Sequence, residues 1–214
     1  MHLDYSLYLV TDRSVLKCGD LFGAVEEALQ GGVSLVQLRE KEVSSRDFYN
    51  IALRMKELLN AYNTPLIIND RLDIALAVNA AGLHIGQEDI PLEVARRIMG
   101  PQRIIGYSVS NVEQAISGEK QGADYLGAGP VFLTASKSDA GEPIGVDGLR
   151  LIRESVKVPV VAIGGVGLDN LEQVWETGVS GVSVISAILG SQEIGTTARK
   201  FIVSRRKHEK GILR

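Results

Sequence analysis

Eight short apolar runs, separated by longer amphipathic stretches, limit what this chain can fold into more than any other feature of its sequence. Most of the runs are continuously apolar, which is typical of parallel strands buried on both faces. The stretches between them repeat apolar residues at helical spacing, as in the stripe formed by Leu168, Leu171, Val174 and Trp175. The predicted strands cover residues 7–10, 35–38, 66–68, 83–85, 104–107, 125–128, 160–163 and 182–185.

Two architectures fit eight strands that alternate with helices: a closed (β/α)8 barrel, or TIM barrel, and an open doubly wound sheet. The count of eight and the lack of an early G-x-G-x-x-G motif favour the barrel. A chain of 214 residues is near the lower limit for this fold, and short links leave no room for a second domain. The sequence therefore predicts one α/β domain over residues 1–214, with a charged C-terminal tail from about residue 205.

Charge and cysteine content exclude several classes of protein. The net charge of −3 argues against a nucleic-acid partner, because the protein has no overall positive charge that could displace counterions from a phosphate backbone. The single cysteine, Cys18, cannot form an internal disulfide, which fits a reducing compartment. No signal peptide is visible, and no apolar run approaches the roughly 20 residues of a membrane span. We expect a cytoplasmic chain that does not bind membranes, with homo-oligomerisation left open.

Polar and charged residues follow the predicted strands, at the rim where barrel enzymes carry out their chemistry. Asp70 and Asp89 follow adjacent strands, so their carboxylates can converge. Without cysteine or a histidine pair nearby, they form a hard oxygen site that suits Mg²⁺ rather than zinc. Alternatively, Asn69 and Asp70 cap a helix that begins near Leu72.

Cations gather at the same rim. Arg39 and Lys41 are two residues apart, so on an extended strand end they point the same way, and Lys137 can join them from the loop after the sixth strand. Cations around a metal site imply a polyanion such as pyrophosphate. Alternatively, Arg39 and Lys41 belong to a solvated loop and pair with Glu40 and Glu42. A Schiff-base role for Lys137 is disfavoured by its polar loop.

The ends of the seventh and eighth strands offer a phosphate site. Gly164 and Gly165 allow close approach of the backbone, and Ile185 and Ser186 stand where barrels commonly bind phosphate at a helix N-terminus. The alternative is a pair of plain strand-to-helix turns. We interpret His84, inside the fourth strand, as a hydrogen-bonded core residue rather than a catalyst.

Read together, these residues resemble the thiamine-phosphate synthase family over about residues 7–189. The motifs that carry the resemblance are YLVTDR at 8–13, QLREK at 37–41, INDR at 68–71, HIGQED at 84–89, ADYLGAGPVF at 123–132 and AIGG at 162–165. Two departures are visible: Ser136 replaces the threonine of many relatives, and Ser110 stands where histidine is common.

The resemblance implies a transferase that joins 4-amino-2-methyl-5-(diphosphooxymethyl)pyrimidine, the pyrimidine diphosphate, to 4-methyl-5-(2-phosphooxyethyl)thiazole or its 2-carboxy form. The products are thiamine phosphate and pyrophosphate, formed by a dissociative substitution that Mg²⁺ assists. It implies that the pyrimidine diphosphate is held by Gln37, Arg39, Lys41, Asn69, Ser108 and Lys137. Arg39, Lys41 and Lys137 stabilise the leaving group, and Asp70 and Asp89 bind Mg²⁺. The thiazole phosphate is held by Thr134, Ser136, Gly165, Ile185 and Ser186.

Three other functions remain open from the sequence. Thiazole tautomerases are similar but carry a histidine at the end of the sixth strand, where this chain has Gly129 and Pro130. A non-catalytic binder of thiazole phosphate would not require the carboxylates and cations of the rim. A barrel aldolase would use Lys137 as a Schiff base.

Overall fold

The computed structural model describes residues 3–16, 20–134 and 141–212, with the side chain of residue 212 excepted. Cys18, Ser136 and Lys137 therefore lie outside the described residues. Eight strands, numbered β1 to β8, are Leu7–Val10, Leu35–Leu38, Leu66–Asn69, Gly82–Ile85, Ile104–Val109, Tyr125–Ala128, Val160–Ile163 and Gly181–Val184. The α-helices, numbered α1 to α9, are Leu21–Gln30, Ser45–Ala61, Leu72–Ala77, Leu92–Met99, Val112–Lys120, Gly145–Ser155, Leu171–Trp175, Ser186–Leu189 and Ile194–Ile212.

The strands form a closed parallel barrel in chain order, which confirms the predicted fold class. Each strand pairs with the next, and β8 returns to β1 with Ser183 opposite Tyr8. The predicted bounds were wrong at several ends. Asn69 belongs to β3 and Ser108 to β5, because polar side chains continue both strands into the barrel mouth. Ile185 lies beyond β8 and precedes α8 instead.

The helices cover the barrel with the apolar faces that their spacing predicts. In α2, for example, Phe48, Met55 and Leu59 are buried against the strands. One residue of the predicted stripes was placed wrongly: Leu168 is 44% exposed and lies before the start of α7. The stripe of α7 begins at Leu171, because the turn after β7 occupies the preceding residues.

The interior of the barrel changes character along the strands. Its lower part is an apolar cluster that includes Leu3, Leu35 and Ile67. Residues two apart on a strand face the same side of the sheet. Gln37 and Asn69 therefore lie one layer above Leu35 and Ile67, nearer the C-terminal ends of the strands. Both are buried and polar. The barrel therefore has an apolar floor and a polar mouth.

The C-terminal helix α9 packs along α1 and α7. The basic residues from about 205 onwards form its last turns. The guanidinium of Arg205 lies 4.8 Å from the centre of the Trp175 ring and also pairs with Glu209 at 2.7 Å. Within the described ranges, no helix is long and apolar enough to cross a membrane.

Candidate active site

A cavity of about 620 Å³ opens at the C-terminal mouth of the barrel. Most of the residues predicted for the site line it: Lys41, Asn69, Asp70, Asp89, Ser108, Thr134, Gly165, Ile185 and Ser186. Gln37 and Arg39 lie one layer deeper, around a smaller void of about 30 Å³ that Asn69 and Ser108 also line. The structure thus brings the sequence-predicted residues from β2, β3, β4, β5, β7 and β8 to one place.

Asp70 and Asp89 form a pair of carboxylates on one wall of the cavity. Asp70 has a left-handed backbone (φ 59°), and Lys41 Nζ lies 2.9 Å from its Oδ2. Asp89 accepts a hydrogen bond from the N–H of Gly86 at 2.7 Å. Burial, together with the neighbouring Asp70 carboxylate, raises the pKa of Asp89, against the opposing effect of the Gly86 N–H. The two acids therefore share a site where a cation is favourable.

The capping alternative for this pair is wrong. The N-cap residue of helix α3 is Arg71 rather than Asn69 or Asp70, and its side chain makes no capping hydrogen bond. The donor set fits Mg²⁺ on chemical grounds, since two hard carboxylate oxygens leave further positions for water and substrate phosphate. In the parts of the chain that the structure covers, no group of three or more His, Cys, Asp or Glu residues could form an all-protein metal cage.

In the solvated-loop alternative, Arg39 and Lys41 would pair with Glu40 and Glu42. In the structure they pair with other residues. Arg39 Nη1 lies 3.3 Å from Asp12 Oδ2, and Lys41 pairs with Asp70. Glu40 pairs with Arg13 instead. The Nε of Arg39 is buried and has no hydrogen-bond partner among the residues that the structure describes, so within them one guanidinium donor remains uncommitted beneath the cavity.

The turn after β7 faces the carboxylates across the cavity. Gly164 and Gly165 adopt φ values of 91° and 67°, which side chains rarely adopt. A Cβ on Gly164 would lie 2.6 Å from Pro130 Cα, and one on Gly165 would lie 2.6 Å from the Leu133 carbonyl oxygen. The loop after β6 therefore rests directly on this turn. Asn170 fixes its far side, accepting from the N–H of Gly167 at 2.9 Å.

The N-terminus of α8 lies beside this turn, and Ser186 begins it. Thr134 reaches the same cavity from the loop after β6. Glycine backbone and a helix N-terminus provide N–H groups that suit a phosphate. The arrangement fits the predicted phosphate site, in the position where barrels commonly bind this group.

Sequence reasoning missed several residues of the cavity wall. His84 is buried, as expected of a core residue, yet it also lines the cavity and its Nε2 lies 2.9 Å from Ser108 Oγ. In the sheet, His84 is the register partner of Asn69, so the side chains of both residues face the barrel interior. Gln87 and Gln114 also line the wall, and Gln114 accepts from the N–H of Ser110 at 2.8 Å.

Fold and site together define a class of protein: a (β/α)8-barrel enzyme with a polar cavity at the C-terminal mouth of the barrel. The family model described as thiamine monophosphate synthase matches residues 7–188, and the chain belongs to this family.

Individual relatives agree with this assignment. The chain is 57% identical over 203 residues to a thiamine-phosphate synthase of Desulfitobacterium hafniense (strain DSM 10664 / DCB-2), covering 95% of this chain and 98% of the relative. It is 54% identical to a thiamine-phosphate synthase of Clostridium novyi (strain NT), with 91% and 95% covered. A solved thiamine phosphate pyrophosphorylase from Pyrococcus furiosus matches with a TM-score of 0.88 and 42% identity, over 96% of this chain and 97% of that one.

Proposed function

We propose that this chain joins the pyrimidine diphosphate to the thiazole phosphate, or to its 2-carboxy form, and releases thiamine phosphate and pyrophosphate. The 2-carboxy form additionally loses its carboxylate as carbon dioxide. One observation carries the proposal: the carboxylate pair with Lys41 and the glycine turn with Ser186 face each other across one cavity of about 620 Å³. Two phosphorylated substrates can therefore meet with their anionic groups held at opposite walls. The names of the relatives support the same reaction.

Asp70 and Asp89 are the residues that would hold Mg²⁺ in this site. When bound, the ion neutralises negative charge on the departing diphosphate. Lys41 already lies 2.9 Å from Asp70, so its ammonium stands next to the same diphosphate. The metal and the cation thus act on one leaving group.

The protein stabilises charge and needs no nucleophile of its own. The carbon–oxygen bond of the pyrimidine methylene breaks, the diphosphate takes the electron pair, and the thiazole nitrogen then attacks the resulting cation. Lys41 and the uncommitted Nε of Arg39 are preorganised donors for the growing negative charge. Lys137, which lies outside the described residues, is proposed as a third donor from the loop after β6.

The second substrate is held by the opposite wall. Gly165, Ile185 and Ser186 would bind the thiazole phosphate through backbone and hydroxyl donors, with Thr134 from the loop above. Ser136, in the part of that loop outside the described residues, is proposed to add a hydroxyl. This placement directs the thiazole ring from the β7–β8 side toward the centre of the mouth.

The alternative functions explain less of the site. Strand β6 ends at Ala128 and is followed by Gly129 and Pro130, so this position has no imidazole for tautomerisation. A non-catalytic binder of thiazole phosphate would leave the carboxylate pair and Lys41 without a role.

The test is formation of thiamine phosphate and pyrophosphate from the two purified substrates, with Mg²⁺ and with excess chelator. We expect both products in equal amounts and only with metal. Tight binding of thiazole phosphate without any product would instead favour the binder.

A further inference from the structure

A chain of hydrogen-bonded side chains crosses the barrel interior beneath the cavity, and the reaction described above does not use it. It begins at Gln37 on β2, whose Nε2 donates to the Tyr8 hydroxyl on β1 at 2.7 Å. The hydroxyls of Tyr8 and Tyr125, on β6, are 2.8 Å apart. His84 on β4 continues the chain, with Nδ1 2.9 Å from the Tyr125 hydroxyl and Nε2 2.9 Å from Ser108 Oγ on β5.

This chain is rigid because of what surrounds it. Tyr8 and Tyr125 are 1% and 0% exposed. Glycine leaves the space that Tyr125 and His84 occupy: a Cβ on Gly106 would lie 2.1 Å from Tyr125 Cζ and 2.4 Å from His84 Nδ1. Burial raises the pKa of both tyrosine hydroxyls, so each keeps its single proton.

Counting protons gives the chain a direction. A tyrosine hydroxyl has one proton to donate. Because Tyr8 accepts from the amide of Gln37, its own proton points to Tyr125, and the proton of Tyr125 then points to Nδ1 of His84. This order of donors implies that His84 carries its proton on Nε2, with Ser108 Oγ, 2.9 Å away, as the acceptor.

We propose that Tyr8, Tyr125 and His84 are positioning residues that set the hydrogen-bond polarity of Gln37 and Ser108 toward the pyrimidine diphosphate; the inference rests on the proposed function. With its amide nitrogen bonded to the barrel interior, Gln37 turns its carbonyl oxygen to the mouth, as an acceptor for the amino group of the pyrimidine. Ser108 accepts from His84 and so keeps its own O–H to donate to the substrate.

This arrangement makes the interior a determinant of substrate choice. A site built to accept a hydrogen bond from an amino group rejects an analogue without it, because the buried acceptor is left unpaired. If a tyrosine hydroxyl is removed, the series of hydrogen bonds is interrupted and the Gln37 amide is free to rotate. The site then rejects the analogue without an amino group less strongly. The thiazole phosphate, held at the β7–β8 side, is not affected.

The first test is steady-state kinetics of the full-length protein carrying Tyr8→Phe or Tyr125→Phe, which keep the buried rings. We expect kcat/KM for the pyrimidine diphosphate to fall about tenfold or more, the effect of one buried hydrogen bond. The KM for the thiazole phosphate stays unchanged. The double variant should lose little more than either single variant, because one missing hydroxyl already interrupts the chain.

A matched control is Tyr5→Phe. The Tyr5 ring lies in the same interior, 5.0 Å from that of Tyr125, and across the described ranges its hydroxyl makes no hydrogen bond. The discriminating readout is the ratio of kcat/KM between the pyrimidine diphosphate and its analogue with hydrogen in place of the amino group. This ratio should fall in both test variants and not in Tyr5→Phe. Test variants that match the control in this ratio would overturn the proposal.

A second test does not depend on turnover. The chain has three histidines, so the imidazole ¹⁵N signals of His84 can be assigned in the ligand-free protein by substituting the other two. We predict a proton on Nε2 and none on Nδ1; any state with a proton on Nδ1 overturns the direction of the chain. If the wild-type protein formed no thiamine phosphate, the proposed function would fail, and the tautomer would still decide whether the hydrogen-bond chain is as described.

Discussion

Asp70 and Asp89 illustrate how single residues serve the site at the expense of the fold. Asp70 occupies a left-handed backbone conformation, which costs free energy for a residue with a side chain. Asp89 is a partly buried acid beside a second acid, and these surroundings raise its pKa. Both features destabilise the metal-free protein, and a bound cation would offset the second of them, the repulsion between the two carboxylates.

We predict that Asp89→Asn stabilises the metal-free protein at neutral pH. An acid whose pKa is raised on folding stabilises the fold below its unfolded pKa of about 3.9 and loses that contribution as pH rises through the folded pKa. The variant should therefore exceed the wild type in free energy of unfolding at pH 7, and the difference should shrink toward pH 4. Urea denaturation with chelator at both pH values measures this. A variant less stable than the wild type at pH 7 would contradict it.

A second prediction at the residue scale concerns the cations. Removing one preorganised charge partner of a leaving group typically lowers turnover by about 100- to 1000-fold. We expect this loss in kcat for Lys41→Ala and for Arg39→Ala, with the fold intact by circular dichroism. Lys120→Ala, on the exposed face of α5, is the control and should retain full activity. Near-wild-type kcat in both rim variants would remove these residues from the mechanism.

At the scale of elements, the turn between β7 and α7 links structure to binding. Its two glycines combine positive φ with close backbone contacts from the loop after β6. The sequence predicted the turn from residue type and location, and the phosphate role that it assigned to the turn stays a prediction. It could not predict the contact with Pro130 and Leu133, because that contact depends on how a distant loop folds back.

We predict that Gly165→Ala raises the KM for the thiazole phosphate and lowers the free energy of unfolding by about 1–3 kcal/mol. The added Cβ would meet the Leu133 carbonyl oxygen at 2.6 Å in a backbone at φ 67°. Gly178→Ala is the control, since Gly178 has φ 77° and open space around its Cβ position. The control should lose stability with no change in KM. Equal KM values in the two variants would show that the turn does not bind the phosphate.

The strand predictions show which element boundaries a sequence can reveal. Where a run is apolar throughout, as in β1 or β7, the predicted bounds were confirmed. Where a polar residue continues the strand into the mouth, as Asn69 and Ser108 do, the predicted strand ended before the observed one. Hydrophobicity marks burial, and the active-site end of a barrel strand is buried yet polar.

At the scale of the whole molecule, the main feature is the difference between the polar mouth at the C-terminal ends of the strands and the opposite end of the barrel. The count and spacing of apolar runs were sufficient to predict the closed barrel. The rule that chemistry sits at C-terminal strand ends selected residues that line one cavity at that end. The pairings within the barrel were not predictable. Arg39 pairs with Asp12 at the end of the neighbouring strand, and Tyr8 on β1 pairs with Tyr125 on β6, far away in the chain. Only the closed barrel brings the two tyrosines together.

The opposite end of the barrel should contribute stability alone. There Arg96 donates to the carbonyl oxygens of Gly100, Arg103 and Gly122 and pairs with Asp124. We predict that Arg96→Met lowers the free energy of unfolding by about 2 kcal/mol, through lost charge-assisted hydrogen bonds. The KM values for both substrates should be unchanged. A KM shift without loss of stability would contradict the separation of the two ends.

The most direct test of the central claim is the Mg²⁺ dependence of pyrophosphate release in Asp70→Asn and Asp89→Asn, beside Asp73→Asn. Asp73 lies on α3 close to Asp70, but it pairs with Arg71 and does not line the cavity. We predict that Asp70→Asn and Asp89→Asn need a much higher Mg²⁺ concentration for half-maximal rate, whereas Asp73→Asn behaves as the wild type. An unchanged Mg²⁺ dependence in both rim variants would contradict a metal-assisted reaction at this site.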